Sequence, residues 1–185
     1  MKKQYKSLVD ITKYERKSIY HSELFLFWKL AKELGVNRIV ESGTYYGFTA
    51  NRLEKLFPEC RIITYEYRQK RWEIAKKKCH KRIEVVQGKL DNNILTPNTA
   101  VIIDGPKWMA AIELAEEIVD SVALVGIHDM RNYIHVLKER FPTVVHSGRP
   151  DNDTKKLDKY LDRETVKRHA KGKYYGMVLA CVRNE

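Results

Sequence analysis

Five short apolar runs in this 185-residue chain each end in residues that can bind polar groups or move protons. Glu41, Ser42, Gly43, Tyr45, Gly47 and Thr49 close or follow the first, and Glu66 and Tyr67 the second. Gln87, Gly88, Lys89 and Asp91 follow the third, Asp104, Lys107 and Trp108 the fourth, and His128, Asp129 and Met130 the fifth. Acids and a histidine at the ends of otherwise apolar segments are costly unless they are solvated or used. Their types suggest distinct tasks. Glu66 is placed to accept from both hydroxyls of a ribose. Glu41 suits an ammonium group and would repel a phosphate. His128 beside Asp129 makes a general base that works near neutral pH.

Such residues act together only if the chain brings the run ends to one edge. Strand-like segments are predicted at 38–42, 61–66, 83–87, 99–104 and 121–127, with helical patterns at 48–57, 68–80, 107–119 and 130–140. This alternation predicts βαβ units and a parallel sheet, whose ligands lie at the carboxyl ends of the strands. The nearly all-apolar runs fit strands buried on both faces. Ahead of them, Ser18 to Gly35 reads as an amphipathic helix with Gly35 as its C-cap. Residues 1–17 are polar and charged, and are expected to be partly disordered or a lid. Two further strands are expected, at Thr143–His146 and Tyr174–Val182, separated by the polar stretch 147–173.

The turn after the first strand, Glu41-Ser-Gly43-Thr-Tyr-Tyr-Gly47, narrows the ligand. Glycine lets the backbone approach a ligand, and a helix start presents free N–H groups. A dinucleotide site would read G-x-G-x-x-G and a P-loop would add a lysine. The spacing here is G-x-x-x-G without that lysine. A ligand with a ribose and an ammonium but no phosphate is S-adenosylmethionine. Glu41 to Ala50, ESGTYYGFTA, resembles motif I of the class I methyltransferases, in the style of the catechol and caffeoyl-CoA O-methyltransferases. The resemblance covers roughly residues 36–130 by motif.

It implies an α/β, three-layer, Rossmann-like fold with a seven-stranded, mostly parallel sheet whose last strand is antiparallel. It implies one methyltransferase domain over 1–185, with an N-terminal basic segment and helix (1–35), a cofactor-binding core (36–130) and C-terminal strands with a substrate-side loop (131–185). Glu66 would hold the ribose, with Tyr67 behind it. Thr49 and the turn from Gly43 to Gly47 would hold the methionine end, with Glu41 near its amino group. Ser42, Tyr45, Gly88 and Asp104 complete the expected cofactor contacts. Lys89 stands where the family often has an acid or serine beside the adenine.

Asp104-x-x-Lys107 matches the metal-dependent members, in which the Asp binds a divalent metal and the Lys deprotonates the acceptor hydroxyl. A metal lowers a hydroxyl pKa, and a lysine of depressed pKa can take the proton. Mg²⁺ would then sit on Asp104 and Asp129. The family pattern ends that strand Asp-Asn, whereas this chain has Asp129-Met130, and methionine is a poor Mg²⁺ ligand. His128 with Asp129 offers the alternative, a metal-free base. Asp104, Lys107, His128 and Asp129 are therefore the expected catalytic residues under either mechanism. A faint further similarity, around Asp104-Gly-Pro-Lys-Trp and Ile-His-Asp, points to glycan O-methyltransferases.

The expected acceptor is a small molecule or a glycan. Net charge is +11, which favours anionic partners. Its densest run, Arg68 to Arg82, has Glu73 as its only acid. An RNA methyltransferase is thus a rival reading, though no RNA-binding signature or Asn-Pro-Pro-Tyr type tetrapeptide is visible. A second rival is a protein that binds the cofactor without chemistry, for which Lys89 and Met130 argue. A nicotinamide oxidoreductase is disfavoured by the glycine spacing. No run approaches the roughly 18 apolar residues of a membrane span, and no apolar segment follows the basic opening. Cys60, Cys79 and Cys181 lack metal or redox spacing, so a cytoplasmic, reducing location is expected. His21, His80, His135, His146 and His169 have no partner spacing and read as structural or surface residues. Trp108 could wall an acceptor pocket or sit in the core.

Overall fold

The computed structural model describes residues 2–12, 18–141, 143–146 and 178–181. Its centre is β1 (Arg38–Ser42), flanked by β2 (Arg61–Glu66) and β4 (Thr99–Ile103), both parallel to it. β3 (Ile83–Gln87) adds parallel to β2, and β5 (Leu124–Ile127) parallel to β4. β7 (Val178–Cys181) runs antiparallel to both β5 and β6 (Thr143–His146), giving the sheet order β3-β2-β1-β4-β5-β7-β6. The parallel part of the sheet is therefore five strands. The chain first builds outward through β2 and β3, then returns to build the other way from β4. The crevice between the ends of β1 and β4 is the switch point at which such sheets bind ligands.

Strand alternation sends β-branched residues to both faces. Ile39, Ile62, Ala100 and Ile102 pack with Leu24, Phe27 and Leu53 from α2 (His21–Glu33) and α3 (Phe48–Leu56). Val40, Ile63, Val101 and Ile103 pack with Ile112 and Ala115 of α5 (Met109–Ile118) and Leu137 of α6 (Ile134–Arg140). α4 (Gln69–Lys78) buries only Ala75 completely and keeps its lysines in solvent.

Several elements depart from expectation. The polar N-terminal segment forms α1 (Lys2–Ile11), because Tyr5 and Leu8, three residues apart, share one buried face. Tyr5 meets Phe25 of α2 edge-on, with centroids 5.0 Å apart. The fifth strand begins at Leu124, since Val119–Ser121 form a 3₁₀ turn. A second such turn, Arg131–Tyr133, precedes α6. The stretch 147–173, His169 and the outer parts of the 174–182 strand lie outside the described residues. Among the described residues, no helix is long and apolar enough to cross a membrane.

The turns at the strand ends interlock through backbone. Asp104 N and Gly105 N both donate to Ser42 O, at 2.8 and 2.9 Å, and the Ser42 hydroxyl donates to Gly105 O. Gly43 has φ +99°, and a Cβ there would stand 2.5 Å from Gly105 N. Only glycine allows this approach.

Candidate active site

A cleft of about 1110 Å³ opens along the carboxyl ends of β1 to β5. One half is built around Glu66, at the tip of β2. Its Oε2 accepts from Tyr45 N at 2.9 Å and its Oε1 from Arg68 N at 3.0 Å. Each oxygen retains acceptor capacity for a hydroxyl. The carboxylate thus fixes the turn after β1 and faces the cleft at the same time. Tyr67 projects from its rim, held by Arg68 Nε at 2.6 Å. Gly88, at φ +141°, has no atom of the described residues within 4 Å of where a Cβ would lie, so the cleft wall there is open backbone. Arg71 covers the Tyr45 ring, 4.7 Å from its centroid. A carboxylate held between two turns, next to exposed backbone, fits an adenosine-bearing cofactor.

The other half is a chain of alternating charges. Lys107 Nζ donates to Asp104 Oδ1 and, at 3.1 Å, to Asp129 Oδ2. His128 Nε2 lies 3.2 Å from Asp129 Oδ1 and 3.9 Å from Asp104 Oδ1. His128 Nδ1 lies 3.0 Å from Glu23 Oε1. Burial alone would drive the imidazole neutral, but Glu23, Asp104 and Asp129 outweigh it and raise its pKa to about 9. Burial likewise pulls the Lys107 pKa down, and the two aspartates outweigh it, holding the ammonium above its ordinary value. Both groups are therefore cations at neutral pH. The expectation of a lysine base with depressed pKa, or a neutral histidine base, is corrected. The aspartates hold these protons in place.

The same geometry bears on Mg²⁺. Asp104, His128 and Asp129 offer ligand atoms within 4.8 Å of one another. However, the Lys107 ammonium already bridges the two carboxylates, and Met130 is wholly buried in the core. A protein cation occupies the position that a divalent ion would need, and the residues present do not fit Mg²⁺.

Of the expected cofactor residues, Ser42, Gly43, Tyr45, Glu66, Tyr67, Gly88, Lys89 and Asp104 line the cleft, as do Lys107, His128 and Asp129. Glu41, Gly47 and Thr49 do not. Glu41 shares the face of Ile39, beneath the turn, where the Thr64 hydroxyl donates to its Oε2 at 2.6 Å. Burial pushes its pKa up to about 8, against that hydrogen bond, and its Oε1 has no hydrogen-bond partner among the described residues. Glu41 is thus a buried neutral acid at neutral pH, and not the anion expected beside an ammonium. Thr49 instead accepts from Ile19 N at 3.2 Å and fastens the segment before α2. Gly47 backs onto Cys79 Sγ.

Sequence reasoning missed Ser18, Tyr20, Tyr65 and Arg71 in the lining, and Glu23 behind it. Glu23 carried a signal: an acid beside the apolar run Leu24-Phe-Leu-Phe-Trp28, on the inward side of a helix. Trp108 is 63% exposed, belongs to neither core and is not among the residues that line the cleft, so neither expected place for it is seen.

No family model matches this chain, and no curated protein matches it. Solved structures do. The O-methyltransferase TomG from Streptomyces achromogenes, in complex with S-adenosylmethionine, is 17% identical, with 98% of this chain and 89% of that one covered and a TM-score of 0.59. An O-methyltransferase from Bacillus cereus in complex with S-adenosylhomocysteine is 17% identical over 97% and 88% of the two chains, at a TM-score of 0.58. This chain has the Rossmann-like fold of the S-adenosylmethionine-dependent methyltransferases. A putative caffeoyl-CoA O-methyltransferase from Staphylococcus aureus also matches, at 14% identity and a TM-score of 0.53, over 97% and 89% of the chains. At these identities the likeness carries the fold, whereas chemistry resides in each chain's own site residues.

Proposed function

We propose that this chain transfers a methyl group from S-adenosylmethionine to a hydroxyl oxygen of a small-molecule or sugar acceptor. The observation that carries the reading is one cleft with two unlike ends. At one end the Glu66 carboxylate sits between two turns; at the other, Asp104, Lys107, His128 and Asp129 form a proton-handling cluster. O-methyltransferases among the structural neighbours support the oxygen acceptor.

The cofactor supplies a methyl already activated by a positive sulfur. What remains for the protein is alignment of the acceptor and removal of its proton. The acceptor oxygen forms a bond to the methyl carbon as the carbon–sulfur bond breaks, and the sulfur keeps that electron pair. The hydroxyl proton passes to a carboxylate, for which Asp129, the more exposed of the two aspartates, is best placed. Lys107, already charged, stabilises the oxygen as its proton leaves.

Calorimetric titration with S-adenosylhomocysteine tests the cofactor half. Wild-type protein is expected to bind, and Glu66→Ala to weaken binding roughly 10- to 100-fold, as for the loss of charge-assisted hydrogen bonds. A folded wild type that does not bind would overturn the reading. The basic face of α4, with Arg71 and Lys89 in the cleft wall, supports a second reading with RNA as acceptor. RNA binding that falls steeply with salt, together with methyl transfer to RNA, would favour it.

A further inference from the structure

Glu23 is the one carboxylate of the charged chain that does not come from a strand end. It belongs to α2, and its side chain is 0% exposed. A buried carboxylate is costly unless its oxygens are paired. Both are: Oε2 accepts from Tyr20 N at 2.9 Å, and Oε1 lies 3.0 Å from His128 Nδ1. On the far side of the ring, Nε2 lies 3.2 Å from Asp129 Oδ1. The charged and titratable groups facing this imidazole are Glu23 from α2, Asp104 after β4, Asp129 after β5 and, acting through space, Glu41 of β1.

We propose that Glu23 is a positioning residue that pins His128 Nδ1 away from the cleft, so that Nε2 faces Asp129 as an ion-pair partner and Asp129 is left to take the acceptor's proton. A ring held only by the aspartates could rotate and offer either nitrogen to the cleft. With Nδ1 fixed on Glu23, only Nε2 can face it. One oxygen of Glu23 thereby orients the imidazole, while the other caps α2 beside Ser18 and Tyr20, which line the cleft. The last step, proton transfer to Asp129, rests on the methyl-transfer reading; the pinning of the ring does not.

The test is a long-range proton–nitrogen NMR spectrum of the full chain with labelled histidine, for wild type and Glu23→Gln. In the wild type, at about pH 7, both His128 nitrogens are expected to carry protons, with the Nδ1 proton shielded from exchange. In Glu23→Gln the Nδ1 proton is expected to lose its shielding and exchange faster, because one amide oxygen replaces the two carboxylate oxygens that accept from Tyr20 N and face the ring. Affinity for S-adenosylhomocysteine should stay within about two-fold, because Glu23 does not line the cleft. A His128 spectrum unchanged by Glu23→Gln overturns the proposal. So does a wild-type ring with a bare Nδ1, and that result decides the matter even if the variant fails to fold. Loss of S-adenosylhomocysteine binding in the wild type would instead strike the methyl-transfer reading and leave the ring assignment standing.

Discussion

The two ends of the cleft are held together by different means. The Glu66 end, to which the proposed function assigns the cofactor, is mostly backbone: turns at Gly43 and Gly88, and one carboxylate, Glu66, that ties Tyr45 N to Arg68 N. The other end, to which the proposed function assigns the acceptor, is almost all side chain: Glu23, His128, Asp129, Lys107 and Asp104 alternate in charge and come from three separate parts of the chain. Backbone turns are fixed by local sequence and tolerate little change. A charge chain is fixed by tertiary contacts and responds to pH. Perturbing each end should therefore fail differently.

The largest expected effect is on stability against pH, and it belongs to the acceptor end and the acid beneath the turn. His128 has a folded pKa raised to about 9, so its stabilising contribution is full below its ordinary value and is lost as pH rises through about 9. A shift of this size corresponds to roughly 3 kcal/mol. Glu41, raised to about 8, works in the same direction: the folded state favours its protonated form, so stability falls as pH rises from the ordinary carboxyl range through about 8. Unfolding midpoints in denaturant should thus decline from mildly acidic to alkaline pH. Glu41→Gln should flatten the lower part of that decline and His128→Gln the upper part. Parallel curves for wild type and both variants would show that neither group is held as described.

Next comes Gly43→Ala at the backbone end. A Cβ there would stand 2.5 Å from Gly105 N, at a φ of +99°. Backbone strain and overpacking together should cost about 3 kcal/mol. For a chain of this size that lowers the thermal midpoint by roughly 10 °C. Calorimetric melting checks it, and a midpoint within the error of wild type would mean that the β1 and β4 turns do not interlock. Asp129→Asn is the counterpart at the acceptor end. It should leave S-adenosylhomocysteine affinity intact and lower turnover of a hydroxyl acceptor by roughly 10²-fold or more, the usual worth of a proton-transfer group. Equal loss of both would place Asp129 in cofactor binding instead.

The same division explains what could be read from the sequence. The five parallel strands and the motif after β1 were legible because apolar periodicity and glycine spacing are local. The strand ends at Glu66, Asp104 and Asp129 were legible for the same reason, since a parallel sheet gathers them on one edge. The charge states were not legible. Nothing local says that Glu41 lies beneath the turn and off the cleft lining, where burial protonates it. Nor does anything near His128 in sequence announce Glu23, 105 residues earlier, which keeps the ring charged. α1 was missed because Tyr5 and Leu8 are its two fully buried apolar contacts within a lysine-rich segment.

The smallest expected effect on stability separates the two ends most sharply. Trp108 follows Lys107, is 63% exposed and has φ +55° with ψ −131°, a positive-φ conformation in which a non-glycine residue is strained. An exposed indole in a strained conformation gives the fold little. Trp108→Gly should therefore leave the thermal midpoint unchanged or raise it by a few degrees, the gain on relieving roughly 1 kcal/mol of strain. If Trp108 is kept to pack against the acceptor beside Lys107, the same change should raise the acceptor KM while S-adenosylhomocysteine affinity holds. A fall in the midpoint would show that the indole supports the fold. An unchanged midpoint with unchanged KM would confine acceptor recognition to the charged cluster. In the expected outcome, Trp108, next to Lys107 in sequence, is a residue that the fold does not need, whereas Gly43 is one that it cannot lose.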